Sequence, residues 1–263
     1  MSAPTAGRWD DLLTRIGSAF VIAVLGFGTV WLGGVFFLTF CAAVAALIVW
    51  EISRMLGAQP YAMPFAVLSA ASVLFVSLMT APWAIGAIFL VPLVGLLRLE
   101  QQRVLFALFS LFAILAAYGL TFIRETYGLR WVFWLLLVVV TSDILGYFAG
   151  RFLGGPKFWP KISPKKTWSG TIAGWGGAAV IGLVFSTQTQ SAWPLIVLSV
   201  AVALAGQMGD IAESAMKRKV GVKDSSNLIP GHGGVFDRFD AMIGAAAFVV
   251  LVQFVLDFPP GLN

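Results

Sequence analysis

Long apolar runs alternate with short polar connections along almost the whole chain. The first run covers about residues 16–50, nearly twice the roughly 20 residues that cross a bilayer as one helix. Gly33 and Gly34 stand near its middle, and glycine permits a tight reversal, so the run predicts two helices joined by a turn. It is also too long for a cleavable signal peptide, and we expect it to be retained.

Seven further apolar runs predict one membrane span each. They cover residues 61–80, 82–97, 104–123, 131–150, 170–187, 193–210 and 241–257. The pattern therefore predicts an all-α bundle of about nine transmembrane helices. Residues 1–130 hold about five of these spans, and residues 131–263 form a C-terminal region with two large loops at 151–169 and 211–240.

Composition supports a membrane protein, since 59% of the 263 residues are hydrophobic and only 11% are charged. Soluble domains average about half apolar and about a quarter charged residues, and they rarely contain even one run of spanning length. Cys41, the one cysteine, lies within an apolar run and is predicted to be a small buried hydrophobe. The predicted class is a polytopic integral membrane protein.

Positive charge is distributed unequally between the two sides that this topology defines. Of the 17 lysines and arginines, fifteen fall near the N-terminus or in the connections at 51–60, 98–103, 151–169 and 211–240. Arg124 and Arg130 are the two on the other side. Because cytoplasmic loops carry the excess of lysine and arginine, we predict a cytoplasmic N-terminus, two large cytoplasmic loops and a C-terminus on the opposite face.

One carboxylate falls inside an apolar run. Asp143 lies in "TSDILGYFAGRFLGG", with Arg151 eight residues later near the predicted cytoplasmic end. A carboxylate at membrane depth costs about 2.5–3.5 kcal/mol on insertion scales, so we expect it to face a partner, a cation or a water-filled cavity. A structural ion pair is the alternative. Tyr147, one turn after Asp143, fits interfacial packing.

The loop that follows this run is basic and contains no acid. Its sequence "GGPKFWPKISPKKTWSGT" carries Lys157, Lys161, Lys165 and Lys166. Backbone amides ahead of a helix, adjacent ammonium groups and Ser/Thr hydroxyls favour phosphate binding, although the spacing is not that of a P-loop. An orientation signal or a site for acidic lipid head groups would use the same lysines.

The second large loop brings acids and bases to the ends of two spans. Asp210 and Glu213 stand three residues apart, as do Asp237 and Asp240, which on a helix puts each pair on one face. Such pairs also occur on solvated helix faces, but here they are accompanied by Lys217, Arg218, Lys219, Lys223 and Arg238. Carboxylates suit Mg²⁺, and cations suit anionic oxygens. The combination is what phosphoryl or nucleotidyl transfer requires.

The stretch from Ser214 to Asp240 resembles the signature of the phosphatidate cytidylyltransferases, also called CDP-diacylglycerol synthases. The matching residues are Ser214, Met216, Lys217, Arg218, Lys223, Asp224, Ser226, Ile229, Pro230, His232, Gly233, Gly234, Val235, Asp237, Arg238, Phe239 and Asp240. The upstream "SDILGYFAGRF" and "ISPKKTWSGT" also resemble the family, so the likeness covers residues 140–245 closely. Ser169 stands where the family commonly has glutamate, and if that glutamate pairs with a loop lysine, this loop is held differently.

The resemblance implies that CTP and phosphatidic acid react to give CDP-diacylglycerol and pyrophosphate, with Mg²⁺ as cofactor. It implies metal ligation by Asp210, Asp237 and Asp240, and we add Lys217 and Arg218 to the predicted catalytic residues. The predicted substrate-binding residues are Asp143, Lys165, Lys166, Lys223, Asp224, His232 and Arg238. His232 is among them because the glycines of "PGHGG" let backbone N–H groups approach an anion.

The membrane setting follows from the two substrates that the resemblance implies. Phosphatidic acid stays in the bilayer with its phosphate at the interface, and CTP comes from the cytoplasm. We therefore predict a multi-pass protein of the cell inner (plasma) membrane with its active site on the cytoplasmic side. The predicted partners are CTP, phosphatidic acid and the lipid bilayer, without nucleic acid, and homodimerisation is left open.

Three other functions compete with this interpretation. A transporter of an anionic substrate would place charges or broken helices near the midplane and often shows a repeat, which this chain lacks. An enzyme for another lipid acceptor, such as a CTP-dependent polyprenol kinase or an archaeal-type CDP-lipid synthase, would use similar phosphate chemistry. A purely structural membrane protein would leave the paired acids without explanation.

Overall fold

The computed structural model describes residues 8–79, 81–187, 192–253 and 258, which are mainly helical. The α-helices are α1 Arg8–Leu32, α2 Gly34–Met55, α3 Ala62–Leu78, α4 Leu90–Arg98, α5 Arg103–Tyr127, α6 Leu129–Phe152, α7 Trp168–Ser186, α8 Ala192–Val220 and α9 Phe236–Gln253. Two 3₁₀ segments, Gln59–Tyr61 and Pro82–Phe89, precede α3 and α4. The predicted reversal is confirmed, because Gly33, which joins α1 to α2, and Gly34, the first residue of α2, both have positive φ.

Seven helical segments in the described part of the chain are long and apolar enough to cross a membrane. They are Thr14–Leu32, Gly34–Met55, Gln59–Leu78, Arg103–Tyr127, Leu129–Phe152, Trp168–Ser186 and Trp193–Val220. The prediction of a multi-pass helical membrane bundle is therefore confirmed.

The two remaining predicted spans have a different character. Pro82–Arg98 is a shorter apolar segment that starts as a 3₁₀ helix. Helix α9 begins with a charged stretch, in which Asp237 lies in the first turn and Asp240 follows it. Residues 254–257 of its predicted span lie outside the described residues. The count of nine spans stays a prediction, as does the cytoplasmic N-terminus.

The expectation of a purely α-helical chain needs one correction, in the predicted loop 151–169. Strands β1 Lys157–Trp159 and β2 Ser163–Thr167 form an antiparallel hairpin there. The Thr167 hydroxyl accepts a hydrogen bond from the Gly170 N–H and so caps the start of α7. The hairpin thus delivers Lys165 and Lys166 to the end of the bundle, directly ahead of a helix.

Helix α8 extends ten residues beyond the predicted end of its span at residue 210. With 29 residues it is about 43 Å long, longer than a hydrocarbon core of about 30 Å. The predicted loop 211–240 shrinks accordingly to the connecting loop, residues 221–235, between α8 and α9. Asp210, Glu213 and Lys217 lie three and four residues apart on this helix and therefore share one face.

Small residues let α8 and α9 approach each other closely. A Cβ atom at Gly244 would overlap the backbone oxygen of Ala205, and one at Gly209 would lie 2.6 Å from the backbone oxygen of Asp240. Close contacts through glycine are typical of helix interfaces in membranes. The approach matters for the site, because Asp210 directly follows Gly209 and Asp240 lies one turn before Gly244.

Substitution of Gly244 by valine is expected to separate α8 from α9 and lower kcat at least tenfold. The added side chain meets backbone of α8, which cannot move aside without shifting the whole helix. Turnover and thermal unfolding in detergent should be measured beside Gly176→Val. An added Cβ at exposed Gly176 of α7 meets nothing within 4 Å. Equal kcat for Gly244→Val and wild type would contradict the requirement for close approach.

Candidate active site

Three carboxylates meet where α8 and α9 pack against each other. Side-chain oxygens of Asp210, Glu213 and Asp240 lie within 4.8 Å of one another, and we call these residues the carboxylate cluster. Glu213 is 1% exposed, and its Oε1 has no hydrogen-bond partner among the residues that the structure describes. A buried oxygen of this kind is costly unless something binds it. The all-oxygen donor set therefore fits a hard divalent cation such as Mg²⁺.

Two lysines compensate the negative charge of the cluster. Lys166 Nζ lies 2.6 Å from Asp210 Oδ2 and donates to the backbone oxygen of Gln207 at 3.3 Å. Lys217 Nζ lies 2.6 Å from Glu213 Oε2 and is only 12% exposed. The Lys217–Glu213 pair is nearly buried, so removing either partner would leave an uncompensated charge. The Lys166–Asp210 pair is partly exposed, with side chains 24% and 29% accessible.

Asp237, which the sequence predicts as a metal ligand, has both carboxylate oxygens engaged by protein donors. Its Oδ1 lies 2.6 Å from Lys217 Nζ. Its Oδ2 accepts from Ser225 N at 2.8 Å, Ser225 Oγ at 2.9 Å and Gly234 N at 2.7 Å. The third member of the carboxylate cluster is Glu213, whereas the sequence predicts Asp237. A ligand role for Asp237 stays a prediction, and its contacts favour a role in holding Lys217 and the connecting loop.

The "PGHGG" segment forms a tight turn in the connecting loop. Gly231 and Gly233 have φ values of 76° and 85°, a region that favours glycine. His232 Nδ1 lies 2.8 Å from Ser18 Oγ of α1, and the His232 backbone oxygen accepts from Arg238 Nε at 3.1 Å. The histidine side chain therefore contacts α1, and its predicted contact with substrate stays a prediction.

The other predicted residues of this loop region are solvent-accessible. Arg218, Lys223 and Asp224 are exposed, and none of the three forms an ion pair with a residue that the structure describes. They are free to meet a ligand from solution. Their catalytic or substrate-binding roles stay predictions.

A polar cavity of about 390 Å³ borders the carboxylate cluster on the side of the hairpin. It lies between α6, α7, α8 and β2, and its charged lining residues are Asp143, Arg151, Lys165, Lys166 and Asp210. Three of these five are cations, which suits an anionic ligand. Lys165 and Lys166 of "SPKKT" both line this cavity. Their predicted role in phosphate binding stays a prediction.

An apolar cavity of about 290 Å³ borders the same cluster. It lies between α1, α2, α5, α6 and α9, and its lining is apolar apart from Asp143, Arg238 and Asp240. Asp143 thus lines both cavities, which explains how a carboxylate is tolerated inside α6. The two cavities converge on the charged groups at one end of the bundle.

Ser169, at the position where the family commonly has glutamate, makes only hydroxyl contacts. Its Oγ donates to the backbone oxygen of Gly154 and lies 3.0 Å from Thr167 Oγ1. Among the residues that the structure describes, Lys166 is the lysine of this loop that pairs with an acid, and its partner is Asp210. The hairpin is therefore tied to the bundle through α8 and through the start of α7.

The sequence pattern does not single out Glu51, a fully buried carboxylate of α2 that contacts the connecting loop. It also misses Ser225, whose hydroxyl lies between Glu51 and Asp237. One signal was available for Glu51, because an acid at the end of an otherwise apolar run is expensive and usually functional. No local sequence pattern indicates a role for Ser225.

The site combines oxygen ligands for a divalent cation with neighbouring lysines at the end of a membrane bundle. This combination is typical of membrane enzymes that transfer phosphate-containing groups. Comparison with known proteins narrows this class. A sequence model described as the cytidylyltransferase family matches residues 13–256. The chain belongs to this family, and the membership predicted from the stretch 214–240 is confirmed.

Curated relatives cover most of the chain. A phosphatidate cytidylyltransferase of Brucella abortus is 35% identical over 265 residues, which is 97% of each chain. The protein of the same name from Brucella suis is 36% identical over 253 residues, covering 92% of this chain and 93% of its own. The one from Bacillus subtilis is 40% identical over 128 residues, 48% of each chain.

Proposed function

We propose that the chain transfers CMP from CTP to phosphatidic acid, giving CDP-diacylglycerol and pyrophosphate, with Mg²⁺ bound at the carboxylate cluster. Family membership and the names of relatives that match nearly the full length support this activity. The observation that carries it is the position of the cluster, which borders a basic polar cavity and an apolar cavity at once. One nucleotide and one lipid fit that pair of cavities.

Each substrate is assigned to the cavity whose chemistry it matches. The triphosphate of CTP would bind in the polar cavity against Lys165, Lys166 and Arg151. Acyl chains of phosphatidic acid would enter the apolar cavity, with the phosphate near Arg238 at its charged end. Both phosphates then reach the carboxylate cluster.

The chemistry joins two anions, so charge repulsion is the main obstacle. A phosphate monoester has a second pKa of about 6 and is already a nucleophile near neutral pH. One of its oxygens forms a bond to the α-phosphorus of CTP, while the bond from that phosphorus to the bridging oxygen breaks and pyrophosphate leaves with the electron pair. Mg²⁺ at the cluster would supply charge neutralisation for the triphosphate.

The residues of this chain hold and align the reacting groups. Asp210, Glu213 and Asp240 would provide the oxygen ligands, and Lys166 would link Asp210 to the nucleotide cavity. Lys217, set between Glu213 and Asp237, would fix both acids rather than touch a phosphate directly. Arg218 and Lys223 remain exposed cations for the outgoing pyrophosphate.

The placement in the cell rests on charge and on substrate chemistry. Fifteen of the 17 lysines and arginines fall on one side of the predicted topology, which favours a cytoplasmic N-terminus and cytoplasmic loops. The bacterial relatives favour the inner membrane, and a supply of CTP requires the site to face the cytoplasm. A count of nine spans is part of the same proposal.

Two substitutions are expected to separate the substrates. Gly26→Leu fills the apolar cavity and should raise KM for phosphatidic acid at least fivefold, with KM for CTP unchanged within about twofold, because the cavity no longer accepts a chain. Lys165→Ala removes a cation from the polar cavity and should show the opposite split. Initial rates of pyrophosphate release in mixed micelles, with each substrate varied in turn, measure both constants.

Matched controls lie close to both positions. Gly28→Leu adds the same bulk to α1, where an added Cβ meets nothing within 4 Å and the residue does not line the apolar cavity. Lys161→Ala removes a lysine of the hairpin region outside the polar cavity. A Gly26→Leu variant with normal KM for the lipid, or a Lys165→Ala variant with normal KM for CTP, would overturn that substrate's assignment.

A further inference from the structure

Glu51 is a carboxylate of the membrane helix α2 that binds the far end of the chain. Its Oε1 accepts from Val235 N at 2.9 Å and Ser226 Oγ at 2.6 Å. Its Oε2 accepts from Phe236 N at 2.7 Å and lies 3.1 Å from Ser225 Oγ. These donors stand 174 to 185 residues away in sequence. Glu51 therefore fastens the connecting loop and the start of α9 to α2.

The burial of Glu51 indicates that this contact is specific. The side chain is 0% exposed, near the end of a mainly apolar helix whose other charged residue is Arg54. Burying an acid there costs free energy, and hydrogen bonds to both carboxylate oxygens offset that cost. Two of the donors are backbone N–H groups at the N-terminus of α9, where a carboxylate is favoured. Gly234 supports the same conclusion, because a Cβ atom at this position would lie 2.5 Å from Glu51 Oε1. Gly234 thus leaves room in the connecting loop for the Glu51 carboxylate.

A continuous set of contacts leads from Glu51 to the carboxylate cluster. The Ser225 hydroxyl lies 3.1 Å from Glu51 Oε2 and 2.9 Å from Asp237 Oδ2, so it bridges the two acids. Asp237 then holds Lys217, and Lys217 holds Glu213 of the cluster. The set joins α2 to α8 and α9 through the connecting loop.

We propose that Glu51 is a positioning residue for the transfer reaction. It fixes the connecting loop so that Ser225 and Asp237 present Lys217 to Glu213, and it contacts neither cavity itself. The inference rests on the proposed function for the reaction concerned, whereas the anchoring of the loop is a property of the fold. Loss of Glu51 should therefore lower kcat while leaving substrate binding in the cavities nearly intact.

The test uses Glu51→Gln, which preserves shape but replaces an acceptor oxygen with an NH₂ donor that faces two N–H or O–H donors. We expect kcat to fall at least tenfold, with KM for CTP and phosphatidic acid within about twofold of wild type. Hydrogen–deuterium exchange of the Val235 and Phe236 amides should accelerate in the same protein. Exchange reports the anchoring without any turnover.

Smaller changes keep the test decisive if Glu51→Gln fails to fold in detergent. Ser225→Ala removes the hydroxyl between the two acids and should lower kcat three- to tenfold. Ser226→Ala removes a hydroxyl that contacts Glu51 but not Asp237, so the fall should be smaller. A larger effect of Ser226→Ala than of Ser225→Ala would contradict the route through Asp237.

Glu125→Gln is the matched control for the glutamate substitution. Glu125 is exposed, and its Oε1 accepts from Gly34 N at 3.0 Å at the opposite end of α2, about 25 Å away along the helix. Its kcat should equal that of wild type. Faster exchange with unchanged kcat in Glu51→Gln would overturn the positioning role, and unchanged exchange would overturn the anchoring. Absence of any reaction in wild type, with the exchange result as expected, would instead refute the proposed function.

Discussion

Replacement of Asp240 by asparagine is expected to lower kcat about a thousandfold while the protein stays folded. The substitution removes one of three acids of the carboxylate cluster, and a loss of about 4 kcal/mol of charge stabilisation in the transition state corresponds to that factor. The asparagine oxygen can still accept the hydrogen bond that Ala241 N donates to Asp240 Oδ1 at 2.8 Å. Thermal unfolding in detergent should therefore change little.

Pyrophosphate release by Asp240→Asn should be compared with two further variants. Glu100→Gln changes an exposed carboxylate in the connection before α5 and should retain full turnover. Asp237→Asn should also abolish turnover, but with a lower unfolding temperature, because it breaks the contacts that hold Lys217 and the connecting loop. An Asp240→Asn variant that keeps more than a tenth of wild-type kcat would rule out its place among the metal ligands.

Replacement of Lys217 by methionine is expected to have the largest effect on stability. Its ammonium group lies 2.6 Å from Glu213 Oε2 and 2.6 Å from Asp237 Oδ1, and both acids are nearly buried. Removing one partner of a buried ion pair costs about 3–5 kcal/mol, because the remaining charge is uncompensated. We expect a fall of several degrees in the unfolding temperature in detergent, together with loss of turnover.

Charge compensation can be separated from packing within the same site. The double variant Lys217→Met with Glu213→Gln removes one of the stranded acids and should recover part of the lost stability without recovering turnover. Lys219→Met, on the exposed side of the same helix, should unfold like wild type. A Lys217→Met protein with the unfolding temperature of wild type would contradict the assigned ion pairs.

The membrane fold could be predicted from the sequence where the signal is local. Glycines at 33 and 34 mark the turn between α1 and α2, and apolar runs mark the seven long spans. The end of α8 could not be predicted in this way, because the polar residues after Asp210 have the composition of a loop. A helix that extends beyond the bilayer no longer needs apolar residues, so hydropathy does not detect its continuation.

The site could be predicted only as far as spacing carries information. The pairs at 210 and 213 and at 237 and 240 indicate two acidic helix faces, and Asp210 and Asp240 do meet. Spacing does not say which member of each pair faces the other helix. Glu213 joins the cluster, while Asp237 is held by Ser225, Gly234 and Lys217, contacts that depend on the folded connecting loop.

The role of Glu51 could not be predicted from any local sequence pattern. Its partners are separated from it by more than 170 residues, so no motif contains them together. The close approach at Gly234 and at Gly244 is also decided by neighbours from other helices. Long-range packing therefore supplies the part of the site that the sequence could not provide.

The fate of isotopic label from CTP tests the central claim most directly. Purified protein in mixed micelles with phosphatidic acid and Mg²⁺ should be given CTP labelled in the α-phosphate and, separately, in the γ-phosphate. We predict that the α-label enters the lipid fraction and the γ-label is released as pyrophosphate, with neither reaction when phosphatidic acid or Mg²⁺ is omitted. Transfer of the γ-label to lipid would identify a kinase, and recovery of both labels as intact CTP from folded protein would contradict nucleotidyl transfer to phosphatidic acid altogether.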